Sequence, residues 1–189
     1  MTQRYSTRFD EAVAMAVDAF RPVVRKGSGV PYITHLFSVC ALVGEHGGDE
    51  DQLIAAVLHD WLEDIPDAHV DVLEARFGPR VARLVEALSD SVGSPKPPWR
   101  ARKEAYLAHL RRSPADVRLV SCADKLHNCR SIRMDLRLAG PAVFQRFQGG
   151  REGTLWYYQE LAVALGEGWG HPLLEVFREE VAGLVGDAG

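Results

Sequence analysis

Apolar residues recur every three or four positions along this chain, and no segment alternates apolar with polar residues convincingly. That is the 3.6-residue period of an α-helix, not the two-residue period of a strand. Phe9, Val13 and Val17 show it at once, four apart. Glycine and proline mark where one periodic stretch stops and the next begins, at Gly47-Gly48, Gly78-Pro79, Ser113-Pro114 and Gly140-Pro141. The chain therefore reads as all-α, a bundle of about eight to ten helices in a single domain over residues 1–189. Helices are predicted over 9–20, 32–45, 50–64, 68–76, 78–90, 99–112, 114–136, 140–148, 151–165 and 171–185. Asp49 and Ser113 are the expected N-caps. The stretch from Ser91 to Pro98 is the one clear linker, read as a mobile loop inside the domain.

Composition narrows the function. The chain is 47% hydrophobic and 25% charged, ordinary values for a globular protein. A net charge of −4 provides no global attraction for nucleic acid. The basic clusters Arg100-Arg102-Lys103 and Arg111-Arg112 read as solvated helix faces. No apolar run approaches the roughly 20 residues that span a bilayer, and the N-terminal residues lack a signal-peptide core. Three cysteines, Cys40, Cys122 and Cys129, are odd in number and lie in apolar helical patterns. A reduced cytoplasmic protein with no membrane partner is expected. No CxxC pair is present to suggest a zinc site.

Chemistry concentrates in three segments. Leu53 to Leu58 is an apolar run ending in His59-Asp60, with a second acidic pair at Glu63-Asp64. On a continuous helix, residues four apart stack, placing His59 under Glu63 and Asp60 under Asp64. Such a cluster suits a metal with acid/base groups one turn away; the bland alternative is a capped helix with a solvated acidic end. His35 follows a glycine- and proline-marked loop that begins at Arg25-Lys26 and is another ligand candidate. Asp124 and Asn128, four apart, share a helical face. His35, His59, Asp60 and Asp124 make a mixed nitrogen and oxygen set, suited to manganese, iron or zinc. His127 points about 100° away from Asn128 around the helix and stays outside that set.

These stretches occur in one order: Arg25-Lys26 with Gly29 to His35, Val57 to Asp64, Phe77 to Val85, and Ala123 to Asn128. In that order the chain resembles the HD-superfamily phosphohydrolases of the RelA/SpoT hydrolase type. It is most similar to the small stand-alone alarmone hydrolases, metazoan SpoT homologues included. The resemblance implies an all-helical HD-type fold and one manganese ion. It further implies hydrolysis of the 3′-pyrophosphate of guanosine tetra- or pentaphosphate. It would make His35, His59, Asp60 and Asp124 the metal ligands and Glu63 and Asp64 the catalytic acids. Arg25, Lys26, Asn128, Ser131 and Tyr158 would meet the nucleotide. A metal-activated water with a carboxylate to take its proton, and cations to neutralise the phosphates, is sound chemistry for this reaction.

Departures from the family pattern bear on the substrate. Leu36 follows His35 where proline is usual, and Phe20 stands where the family has an early histidine. Ser89-Asp90 replaces a Thr-Lys pair, and Arg137 stands at a position more familiar as apolar. They keep open a related hydrolase of adenine alarmones or NADPH; a non-catalytic nucleotide-binding module is a further alternative, against which the intact ligand set and the Glu63-Asp64 pair stand.

Overall fold

A computed structural model describes residues 5–90 and 97–189. Among these, ten α-helices and one 3₁₀ turn are present and no strand is formed, as the apolar period requires. The linker expected over residues 91–98 falls, for residues 91–96, outside the described residues. The chain divides into two compact units between residues 96 and 97.

The first unit contains α1 (Thr7–Ala19), α2 (Ile33–Glu45), α3 (Glu50–Leu58), α4 (Trp61–Asp64), α5 (Val70–Phe77) and α6 (Pro79–Leu88). α3 is central and packs against α1, α2 and α6. Ile54 to Leu58 are fully buried, so the apolar run seen in the sequence is the middle of this core. Asp49 caps α3 as expected, in a reciprocal capping box with Gln52. The connection from α2 to α3 is tight. A Cβ at Gly48 would lie 2.3 Å from Val43 Cγ1 and 2.9 Å from the Val43 carbonyl oxygen. Gly78, at φ 88°, ends α5 and opens α6, and Pro79 takes the first helical position.

One predicted helix is two. The stretch 50–64 breaks at His59-Asp60, where Asp60 sits at φ −95°, ψ 3° and starts the single turn α4. The cause is local: His59 Nδ1 donates to the Ala56 carbonyl at 2.8 Å, sharing the oxygen that a continuing helix would offer to Asp60.

The second unit contains α7 (Trp99–Leu110), α8 (Ala115–Ala139), a 3₁₀ turn (Gly140–Arg146), α9 (Gly150–Gly166) and α10 (Pro172–Ala188). α8 runs for 25 residues, about 37 Å, and packs on α9, α10 and the 3₁₀ turn. Ser113 is not its N-cap. Its hydroxyl donates instead to the His109 carbonyl at the end of α7, and Pro114 occupies the cap position. The helix predicted over 140–148 winds as the 3₁₀ turn, with Arg146 paired to Asp135 of α8 at 2.8 Å. No described helix is long and apolar enough to cross a membrane.

Candidate metal centre

In the first unit the helix break aims two side chains at one another. His59 is buried at the end of α3, and its Nε2 lies 2.9 Å from Asp60 Oδ2. His35, in the first turn of α2, is wholly buried, and its Nε2 lies 3.7 Å from the same oxygen. The two imidazole rings meet edge to face with centroids 5.1 Å apart. Because a carbonyl only accepts, the His59 Nδ1 contact with Ala56 O puts the ring proton on Nδ1. Nε2 then presents a lone pair to a carboxylate oxygen. Two acceptors at that distance require a cation or a proton between them. A histidine whose second nitrogen is tied to a backbone carbonyl is the usual arrangement of a metal ligand. The residues present therefore fit a divalent metal.

The acidic pair follows directly. Glu63 accepts a 2.7 Å hydrogen bond from the backbone N–H of Asp90, just beyond α6, which directs its carboxylate. Asp64 is exposed at the end of α4. The Arg25-Lys26 loop is a closed ring: Arg25 N–H donates to Val30 O at 2.8 Å, and Val24 pairs with Pro31 in an isolated antiparallel bridge. Arg25 is half-buried and Lys26 is exposed.

In the second unit Asp124 is buried on α8 and engaged by neighbours on its own helix. Lys125 Nζ donates to Oδ2 at 2.6 Å, and Asn128 Nδ2 donates to Oδ1, also at 2.6 Å. Burial alone would lower the Lys125 pKa. Asp124, assisted by Tyr106 and Tyr157, outweighs it and holds the ammonium well above the ordinary lysine value. Ser131 follows one turn later, half-buried, with its hydroxyl on the His127 carbonyl. Tyr158 on α9 is buried against Tyr157 and Phe177, and burial, then Cys129, raises its phenol well above the usual tyrosine range.

Two contributors escape the sequence reading. Tyr32 donates its hydroxyl to Asp60 Oδ2 at 2.6 Å, across 28 positions of sequence. The Asp90 amide, 27 positions from Glu63, is the other. Neither separation follows a helical period, so spacing carried no signal.

An HD domain model matches residues 12–155. The chain belongs to the HD domain family. Its HD relatives include the Escherichia coli bifunctional (p)ppGpp synthase/hydrolase SpoT, 38% identical over 139 residues, or 69% of this chain and 19% of SpoT. The chain thus spans about a fifth of the length of that relative. The human guanosine-3′,5′-bis(diphosphate) 3′-pyrophosphohydrolase MESH1 is 36% identical over 125 residues, covering 65% of this chain and 68% of MESH1. Among solved HD structures, a metazoan ortholog of SpoT that hydrolyses ppGpp superposes with a TM-score of 0.79 at 28% identity, covering 96% of this chain and 97% of that one. The HD family and the all-α fold agree with the ordered motifs read from the sequence.

Proposed function

We propose that this HD protein is a metal-dependent hydrolase that removes the 3′-pyrophosphate from guanosine tetra- or pentaphosphate, releasing GDP or GTP and pyrophosphate. The observation that carries the reading is the convergence of the His35 and His59 Nε2 atoms on Asp60 Oδ2, with Glu63 and Asp64 in the next turn. Relatives named for this activity support it. His35, His59, Asp60 and Asp124 are the proposed ligands, and manganese the proposed metal. A bound divalent ion would acidify water and polarise a phosphoryl oxygen. Glu63, fixed by the Asp90 amide, orients the attacking water, and Asp64 takes its proton. Arg25 and Lys26 neutralise the polyphosphate, Arg25 by bidentate contact. Asn128, Ser131 and Tyr158 meet the nucleotide. The chain acts as one HD domain in the cytoplasm, a reading supported by a family match running through both units and by three thiols in no disulfide.

The adenine-nucleotide alternative draws on the departures at Leu36, Phe20, Ser89-Asp90 and Arg137; of these, Arg137 is exposed and paired with Asp187 of α10 at 3.1 Å. The test is pyrophosphate against orthophosphate release from guanosine tetraphosphate by manganese-loaded protein. Pyrophosphate release is expected, lost in Asp64→Ala with metal retained, and lost in His59→Ala together with metal. A tenfold preference for adenine alarmones or NADPH would replace the guanosine reading. Nucleotide binding without turnover would make the chain a binding module.

A further inference from the structure

Tyr32 is held from several directions. Its ring stacks on Phe20, with centroids 5.5 Å apart and planes 14° apart, and meets the His35 ring edge-on at 5.4 Å. Its N–H donates to Val23 O at 2.9 Å, and its carbonyl accepts the His35 N–H at 2.9 Å. Phe20 is only 1% exposed, so the wall behind the ring is itself fixed. With ring and backbone set, the hydroxyl is aimed at Asp60 Oδ2. At 2.6 Å the contact has the length of a charge-assisted O–H···O⁻ hydrogen bond.

That same oxygen faces both imidazole Nε2 atoms. The His59 Nε2 lone pair beside that oxygen favours its turning away, and the Tyr32 hydroxyl is a donor that opposes the turn. Tyr32 also closes the Arg25-Lys26 loop. The Val23–Tyr32 hydrogen bond and the Val24–Pro31 bridge lie across the loop's neck, and Arg25 N–H to Val30 O lies just inside it. One residue thus joins a candidate phosphate-binding loop to a candidate metal ligand.

We propose that Tyr32 is a positioning residue that orients Asp60 and so sets the affinity of this site for its divalent metal. The inference rests on the reading of His35, His59 and Asp60 as ligands. The test is Tyr32→Phe, which removes the hydroxyl and keeps the ring between Phe20 and His35. Manganese affinity of wild type, Tyr32→Phe and His59→Ala is measured by titration calorimetry on metal-free protein, alongside thermal unfolding without metal. The expected result is an affinity about 10- to 100-fold weaker in Tyr32→Phe, the range for loss of a ligand's hydrogen-bonding partner. The metal-free Tm should stay within about 4 °C of wild type, the shift produced by a net loss of one hydrogen bond. A merely structural tyrosine would lower the Tm and leave the affinity alone. Unchanged affinity, within about twofold, overturns the proposal while leaving the ligand reading intact. Wild type that binds no manganese, or His59→Ala that binds as tightly as wild type, overturns the ligand reading and this inference with it.

Discussion

Arg118 shows how much one side chain can organise. It is 6% exposed and faces four carbonyl oxygens: Ser113 at 2.8 Å, Arg111 at 2.7 Å, Leu165 at 3.1 Å, and Glu167. These carbonyls flank the C-terminal ends of α7 and α9, where helix dipoles favour a cation. Arg118→Met would keep the bulk and strand several polar oxygens. A loss of about 3 kcal/mol is expected, read as a lower urea midpoint at unchanged slope. The same logic separates what was legible at this scale. His59, Asp60, Glu63 and Asp64 are neighbours in sequence, and they read as a candidate site only together with the other segments in their order. Tyr32 and the Asp90 amide act through contacts across 27 or 28 residues, and only the folded chain shows them. The Asn128 amide donates to Asp124, a pairing that the four-residue spacing already allowed.

Helices were legible wherever periodicity was the deciding force, and less so where a side chain took a backbone hydrogen bond. His59 takes the Ala56 carbonyl and breaks a helix that hydrophobic pattern alone would continue. Ser113 spends its hydroxyl on the helix behind it rather than the one ahead. Between α8 and α10, charge adds to packing. Arg133 binds Glu180 and Asp187, and Arg137 binds Asp187 again. The Arg133 hydrogen bond, with both arginine charges, holds the Asp187 carboxyl below its ordinary 3.8. A carboxylate depressed on folding stabilises the native state above its unfolded pKa, and that contribution is lost as pH falls through the folded value. Asp187→Asn should therefore lower Tm at pH 7 and at pH 5. The difference from wild type should shrink below about pH 3.8, with salt reducing it throughout. A gap of equal size at pH 3 would show that the pair contributes no linked stability.

At the scale of the whole chain, the three thiols report on folding. Cys40 lies in the first unit, and Cys122 and Cys129 lie in the second. Burial pushes Cys40 up to about 11 and Cys129 up to about 12, and raises Cys122 further. Raised thiol values mean protonated sulfur at pH 8, and the thiolate is the reacting form. Native protein should thus react slowly with a disulfide reagent at pH 8, and unfolded protein should release three equivalents quickly. If residues 1–189 are one cooperative domain, all three become reactive over a single denaturant transition. Separate transitions for Cys40 and for the other two would divide it. The family was legible here from motif order, whereas the division of the chain into two compact units had no mark in composition beyond the proline-rich stretch near it.

The hairpin of α2 and α3 works as a pair of calipers. Residues 46–49 are its pivot, and the arms run back to His35 and forward to His59, twelve positions either side of Gly47. Adding one residue within either arm would slide its imidazole about 1.5 Å and swing it about 100° around the helix. The same residue added at the pivot would move neither tip relative to its own arm. A length change along this hairpin therefore reaches the imidazoles from many residues away, through helical register in an arm and through the tight turn at Gly48 at the pivot.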